Sequence, residues 1–251
     1  MRVTDLCLYQ TLHLFRGEVR LLDRHVALLD RASRDLFGCP YAPDLRQLER
    51  RVLEAAPGSG SVSSFVRIEW SERGEERILA AGRSLYEGYA LRSLQPAGAS
   101  IRCEMPLDGY PTSAREAADA AARRMARSAS AETAVLYGAD GCYRSAACSP
   151  VAAVHGYTLW IAPQHAPQEI PAARHRFAAP RSVEHELLAD AARAAGLQVE
   201  ERPFGPVDRA AFDELFWLDC RGITALSQLD GRPLMSLLAE RVADALEKMF
   251  R

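Results

Sequence analysis

The changing hydrophobic rhythm of this chain restricts its fold more than any other feature. Segments that alternate apolar and polar residues are interrupted by amphipathic stretches of helical period, and the two kinds do not take strict turns. Cys7–Phe15 alternates and is rich in strand formers; Arg16-Gly17-Glu18 then turns into a short strand at 19–22, which predicts a β-hairpin. Residues 23–37 carry Val26, Leu28, Leu29, Ala32 and Leu36 at helical spacing and stop at Gly38. A second helix is predicted over 44–55, with Leu45, Leu48, Val52 and Leu53 inward, ahead of a break at Pro57-Gly58-Ser59-Gly60. Strands at 65–71, 77–81, 89–94 and 100–104 read as an antiparallel meander. A doubly wound parallel sheet would need a helix after nearly every strand, so an α+β fold is expected.

Residues 106–112 look like a linker, which divides the chain into a smaller domain, 1–105, and a larger one, 113–251. The second part opens with an Ala-rich helix, Ser113–Ser128, bearing the capping-box pair Ser113 and Glu116. Strands follow at 133–137, 149–154 and 157–162, separated by turns at 138–141 and at His155-Gly156. Ser182 caps a helix that runs to Ala195 and ends at Gly196. A strand at 197–202, a short helix at 208–214, a strand at 215–218 and a helix at 236–250 complete the pattern.

Composition removes several classes of function. With 31 basic and 33 acidic residues the net charge is −2, without the basic excess of a nucleic-acid binder. No apolar run is long enough to span a membrane, and Met1-Arg2-Val3-Thr4-Asp5 is unlike a signal peptide, so a cytoplasmic protein is expected. The cysteines at 7, 39, 103, 142, 148 and 220 form no CxxC pair, and the six histidines are dispersed, so no metal site is expected. Of the 31 basic residues only Lys248 is a lysine. Any chemistry that needs a primary amine on a side chain must use Lys248 or do without.

Several segments, in order, resemble the class IV aminotransferase and aminodeoxychorismate lyase family of fold-type IV pyridoxal-phosphate (PLP) enzymes. "CLYQTLHLFRG" is similar to that family's "GxFETLRVxxG", and "VRLLDRHVALLDRAS" to its "FLLDRHLxRLxxSA", in the form of the lyases. "SFVRIEWSERGE" resembles "xLRIxxSRG", and "DGCYRSAACSPVAAV" stands where the family has "DGxVTEGSSSNLF". "GLQVEERPF" and "LFWLDCRGITALSQLDGRPL" match the C-terminal segment. The resemblance spans nearly the whole chain. It implies a two-domain α+β protein, usually a homodimer, that binds PLP between the domains. A lysine there forms an aldimine, a glutamate keeps the pyridine nitrogen protonated, and helix N-termini with Gly, Ile and Thr hold the phosphate. Family members carry a further strand and hairpin ahead of the first motif; six residues precede it here, so a shortened small domain is expected.

The same alignment shows what departs. The family's "HKTTNRELYDxA" fits Tyr110 onward through Thr112, Arg115, Glu116 and Asp119, which puts Pro111 at the lysine position; a shift of one puts Tyr110 there. Neither forms a Schiff base. The glutamate position falls on Ser145, with Arg144 one residue off: a serine cannot hold the ring nitrogen charged, and an arginine opposes its protonation. In the phosphate turns, "LPGITR" falls on Pro180, Arg181, Ser182, Val183, Glu184 and His185, and Asp219 takes a Ser/Thr place before Arg221, Gly222 and Ile223. A carboxylate repels a phosphate, with Arg181 and Arg221 as possible compensation.

Each of Arg144, Glu184, Asp219 and Arg221 reads by itself as a solvated or paired charge. Together, if the fold holds, they make a mixed-charge site suited to a small polar or carboxylate ligand. Tyr110 reads as a linker aromatic, with a general acid or base as the alternative. His185 reads as exposed, and Cys142, Cys148 and Cys220 as small core fillers. The expected function is a divergent family member without covalent PLP chemistry, a small-molecule binder or pseudoenzyme. The alternatives are a lyase or transaminase of altered chemistry with PLP absent or non-covalently bound, and an ordinary PLP enzyme whose lysine lies elsewhere.

Overall fold

The computed structural model describes residues 6–58, 62–84, 95–105, 107–163 and 181–250. The strand expected at 89–94 lies outside the described residues. The described chain forms two compact units. The first holds residues up to 84, then Leu107–Ala114 and residues 181–183; the second holds 95–105, 115–163 and 184–250.

In the first unit β1 (Cys7–Phe15) turns into β2 (Glu18–Val19), followed by α1 (Leu22–Phe37), α2 (Leu45–Glu54), β3 (Ser63–Ser71) and β4 (Glu76–Arg83). The sheet order is β2-β1-β3-β4, antiparallel throughout, with Cys7 opposite Ser71 and Phe15 opposite Ser63. Alternation along β1 buries Leu8, Leu12 and Leu14, which meet Leu22, Val26, Leu29 and Ala32 of α1, Leu48 and Val52 of α2, and Val66 and Ile68 of β3. The second strand is shorter than the sequence suggested. Leu21 takes a left-handed conformation (φ 54°), which ends the extended chain and starts α1 at Leu22. At α2 the Asp44 carboxylate accepts the Gln47 N–H at 2.9 Å, an ordinary N-cap.

This core also contains a polar pair. Gln10 Nε2 donates to its neighbour's carbonyl, Tyr9 O, at 2.9 Å, so its Oε1 faces His25 Nδ1 at 2.6 Å. A carbonyl oxygen only accepts, so a proton is assigned to Nδ1. Burial lowers the His25 pKa from 6.5 to about 4.

The second unit contains β5 (Ala97–Arg102), α3 (Ser113–Ser128, from Arg115), β6 (Thr133–Tyr137), β7 (Tyr143–Ala146), β8 (Ser149–His155), β9 (Thr158–Ile161), α4 (Val183–Ala194, from Glu184), β10 (Gln198–Glu201), β11 (Glu214–Asp219), β12 (Gly222–Ala225), β13 (Gln228–Leu229), β14 (Arg232–Pro233) and α5 (Leu237–Lys248). The sheet order is β10-β9-β8-β7-β6-β5-β13-β14, with β11 paired to β8 and β12. Parallel pairs β5/β6 and β9/β10 have α3 and α4 between them in sequence; the β6–β9 run and the β11/β8 pair are antiparallel. The result is α+β.

Three expectations are corrected. The strand near 100 does not close the first meander: β5 pairs in parallel with β6 and β13 and belongs to the second unit, so the units divide before it and not at 106. Its Gly98 permits this packing, since a Cβ there would meet Leu226 Cδ1 at 2.7 Å. The helix expected at 208–214 is a single 3₁₀ turn, Pro206–Asp208, because Phe212 is drawn into the core and Glu214 starts a strand. The strand β7 was not expected; the turn after it, Ala147-Cys148, holds two non-glycine residues at φ 48° and 63°.

Glu214 is buried (2% exposed), and its Oε1 and Oε2 accept the N–H groups of Leu238 and Ala239, each at 2.8 Å. The cap of α5 therefore comes from β11, while the residue at the N-cap position, Ser236, makes no side-chain cap bond. No helix among the described residues is long and apolar enough to cross a membrane.

Two outcomes are expected. Glu214→Ala, which leaves two helix-start donors without their charged acceptor, lowers unfolding stability by about 2–4 kcal/mol, whereas Ser236→Ala costs less than about 1 kcal/mol, both read from urea titrations. For His25, the unfolded chain takes up a proton below pH 6.5 that the fold refuses until about pH 4, so its contribution is present above that window and is lost as pH falls through it. The stability difference between wild type and His25→Gln should move against wild type by on the order of 3 kcal/mol from pH 7 to pH 4.

Candidate functional site

In the first unit the segment 110–113 is tied to the start of β1. Tyr9 N–H donates to Pro111 O at 2.8 Å, Leu8 bridges Thr112, and Cys7 N–H donates to Ser113 Oγ at 3.2 Å. This seat decides what the two residues at the expected lysine position can do. Tyr110 is buried (5% exposed) in the core formed by α1 and β1, and its hydroxyl donates to Asp35 Oδ2 at 3.2 Å. Burial and the Asp35 carboxylate push its pKa up to about 12. It is neither an open linker aromatic nor a base near neutral pH. Pro111 has no ionisable group or nucleophile on its side chain, and its carbonyl is taken by Tyr9.

Arg181 and Ser182 precede α4, which opens with buried Val183; Arg181 is exposed and Ser182 half-buried. In the second unit, Glu184 and Glu186 lie in the first turn of that helix. Carboxylates there are favoured by the helix dipole, which would otherwise favour a bound anion. The exposed reading of His185 is wrong. Its ring is buried (3% exposed), and Nε2 lies 3.8 Å from Glu201 Oε2, because helical spacing turns it inward with Leu188 and Ala189.

On β7, Arg144 and Ser145 point to opposite faces, as neighbours on a strand must. Arg144 Nη2 donates to Asp140 Oδ2 at 2.6 Å, and Cys142 N–H donates to Asp140 Oδ1 at 3.1 Å. Burial alone would push the Asp140 carboxyl up, but these partners outweigh it and hold it below its ordinary range. Ser145 is fully buried opposite Leu136. Leu136 packs with Ala118, Ala122 and Ala126, so Ser145 faces the layer beneath α3, and its Oγ has no hydrogen-bond partner among the described residues.

That layer also contains Asp119, a residue matched in the sequence but given no role. Its carboxylate is buried and lies 3.0 Å from Arg123 Nε. Burial raises its pKa, against the pull of Arg123, the Cys148 N–H and Arg115. The signal was available in the sequence: Arg115, Asp119, Ala122 and Ala126 recur at helical spacing, which marks a face that carries a carboxylate inward.

The remaining candidates form the turn between β11 and β12, where Asp219 pairs with Gly222 across Cys220-Arg221. Asp219 Oδ1 accepts the Arg221 N–H at 2.7 Å. Gly222 has φ 116°, a conformation that L side chains rarely adopt, and Ile223 is fully buried. Arg221 is exposed. Among the described residues no cluster of His, Cys, Asp or Glu could hold a metal ion.

No protein-family model matches the sequence, and no curated protein matches it by sequence. Solved structures do match the fold. A fold IV transaminase from Curtobacterium pusillum superposes with a TM-score of 0.75 at 16% identity, covering 98% of this chain and 90% of that one. An aminotransferase from Brucella abortus, solved bound to the co-factor PLP, gives 0.75 at 17%, covering 97% and 88%. A putative 4-amino-4-deoxychorismate lyase from Legionella pneumophila gives 0.73 at 13%, covering 96% and 90%. The fold is that of the fold-type IV transaminases.

The residues expected around PLP in a fold-type IV protein do not fit that cofactor here. An aldimine needs a primary amine, and the one lysine, Lys248, lies on α5 with its side chain 66% exposed and 2.6 Å from Asp244. The Tyr110 hydroxyl is committed to Asp35, the buried Ser145 brings no charge, and the Arg221 N–H already has a carboxylate acceptor. No chemical step through PLP follows from this arrangement.

The Tyr110 assignment is open to measurement. Tyr110→Phe should cost about 1 kcal/mol of stability, the worth of one hydrogen bond. In an alkaline absorbance titration, the phenolate signal missing from the variant should be the part that rises near pH 12, not at the ordinary 10.0.

Proposed function

We propose that this chain is a divergent relative of the class IV aminotransferases and aminodeoxychorismate lyases that has given up covalent PLP chemistry and binds a small polar or carboxylate-bearing ligand. The observation that carries this reading is the place of the only lysine. Lys248 sits at the exposed end of a terminal helix, where a cation near the C-terminus suits the helix dipole and the neighbouring Asp244. An amine that is ion-paired and solvated lacks the shelter that Schiff-base lysines need. The mixed charges of the second unit, Arg144 paired with Asp140 and Glu184 at the start of α4, support a ligand bearing both signs of charge. We further propose a cytoplasmic homodimer; light scattering on the purified protein tests the assembly.

Incubation with PLP, borohydride reduction and peptide mass mapping test the chemistry. We expect no visible aldimine band after desalting and no stoichiometric adduct. A stoichiometric adduct on Lys248 that disappears in Lys248→Arg would overturn the reading. Screening amino acids and small carboxylates by thermal shift should then find the ligand, because a compound at 100 times its Kd stabilises the fold by about 2.7 kcal/mol.

A further inference from the structure

A phosphate group is held at a turn by backbone N–H donors that have no other acceptor. In the turn between β11 and β12 the N–H of Arg221 does not meet that condition, because the Asp219 carboxylate already accepts it at 2.7 Å. The contact is short-range: a carboxylate bonding to the N–H two residues on is what aspartate does in a tight turn. An incoming phosphate would have to displace a charge-assisted bond and then lie beside the displaced carboxylate, which repels it. The first turn of α4 follows the same pattern, with Glu184 and Glu186 at the helix start.

We infer that Asp219 acts as a built-in anion that excludes phosphate esters from the β11–β12 turn, so that the protein does not take up PLP even non-covalently. This rests on the reading that the site has left PLP chemistry, and it is stricter, because loss of the lysine alone would still allow a non-covalent complex. It also makes Asp219 a specificity residue, restricting the turn to ligands without a phosphate.

The test uses pyridoxamine phosphate, which cannot form an aldimine with a lysine, and inorganic phosphate, each titrated against wild type, Asp219→Ser and Asp219→Asn by calorimetry. Asp219→Ser frees the Arg221 N–H from a charged acceptor; Asp219→Asn keeps an acceptor and removes the charge. Wild type should show no saturable binding of either probe. Asp219→Ser should bind pyridoxamine phosphate at least on the order of tenfold more tightly, the worth of one charge-assisted hydrogen bond. Saturable binding of pyridoxamine phosphate by wild type overturns the inference but leaves the absence of covalent chemistry standing, whereas an aldimine with PLP overturns the reading on which the inference rests. A folded Asp219→Ser that binds no better than wild type also overturns the inference. Should that variant fail to fold, Asp219→Asn decides the matter by the same criterion.

Discussion

Two carboxylates at the ends of one strand hold much of the second unit in place. β11 begins at Glu214, whose oxygens accept the first free N–H groups of α5, and ends at Asp219, which accepts an N–H in the turn to β12. Between them, Phe216 and Leu218 are fully buried, and the strand pairs with β8 along Glu214–Trp217. A buried carboxylate without donors would be costly, and a helix start or turn without acceptors would leave backbone groups unsatisfied. Each requirement meets the other, so β11 fixes the position of α5 and the direction of β12. A phosphate-binding turn needs its donors left open for a ligand; here the same donor completes the fold.

This pattern recurs at other positions where the resemblance leads one to look for cofactor contacts. The Tyr110 hydroxyl meets Asp35, Arg144 meets Asp140, and Lys248 meets Asp244. A group already held by an internal partner contributes to ligand binding only the difference between its new contact and the old one. The apolar framework has no such competition. Leu8, Leu12, Val66 and Ile68 pack under α1 whatever the site binds, which is how a fold persists at 13–17% identity to solved transaminase and lyase structures while polar partners change.

The division also explains what could be read from the sequence. Elements with strong periodicity were legible: α3 runs over Ser113–Ser128 and β6 over Thr133–Tyr137, as their patterns predict. β5 was legible as a strand but not as a partner of β6, since pairing depends on residues far away in sequence and the Gly98 contact with Leu226 leaves no periodic trace. β7 was missed because its turn, Ala147-Cys148, lacks the Asn-Gly or Asp-Gly signature that both left-handed positions favour. Of the candidate residues, the departures at 110, 111, 145 and 219 were visible as residue types. Their internal partners were not, because Asp35 lies 75 positions from Tyr110, while the Asp219 contact, only two residues long, depends on the turn geometry.

One region differs from this rule. Beneath α3, Ser145 presents a fully buried hydroxyl with no hydrogen-bond partner among the described residues, and Asp119 a buried carboxylate whose pKa is raised by burial despite Arg123. An unsatisfied hydroxyl costs about 1–3 kcal/mol, and a desolvated carboxylate adds to that. Leu136, opposite Ser145, packs with the alanines of α3, so both polar groups share an otherwise apolar layer. The adjoining turn carries two residues in left-handed conformations, which adds backbone strain at the same place. Polar groups, strain and apolar packing are thus superimposed at the end of β7, whereas the turn after β11 resolves the same conflict by pairing its carboxylate with its own backbone.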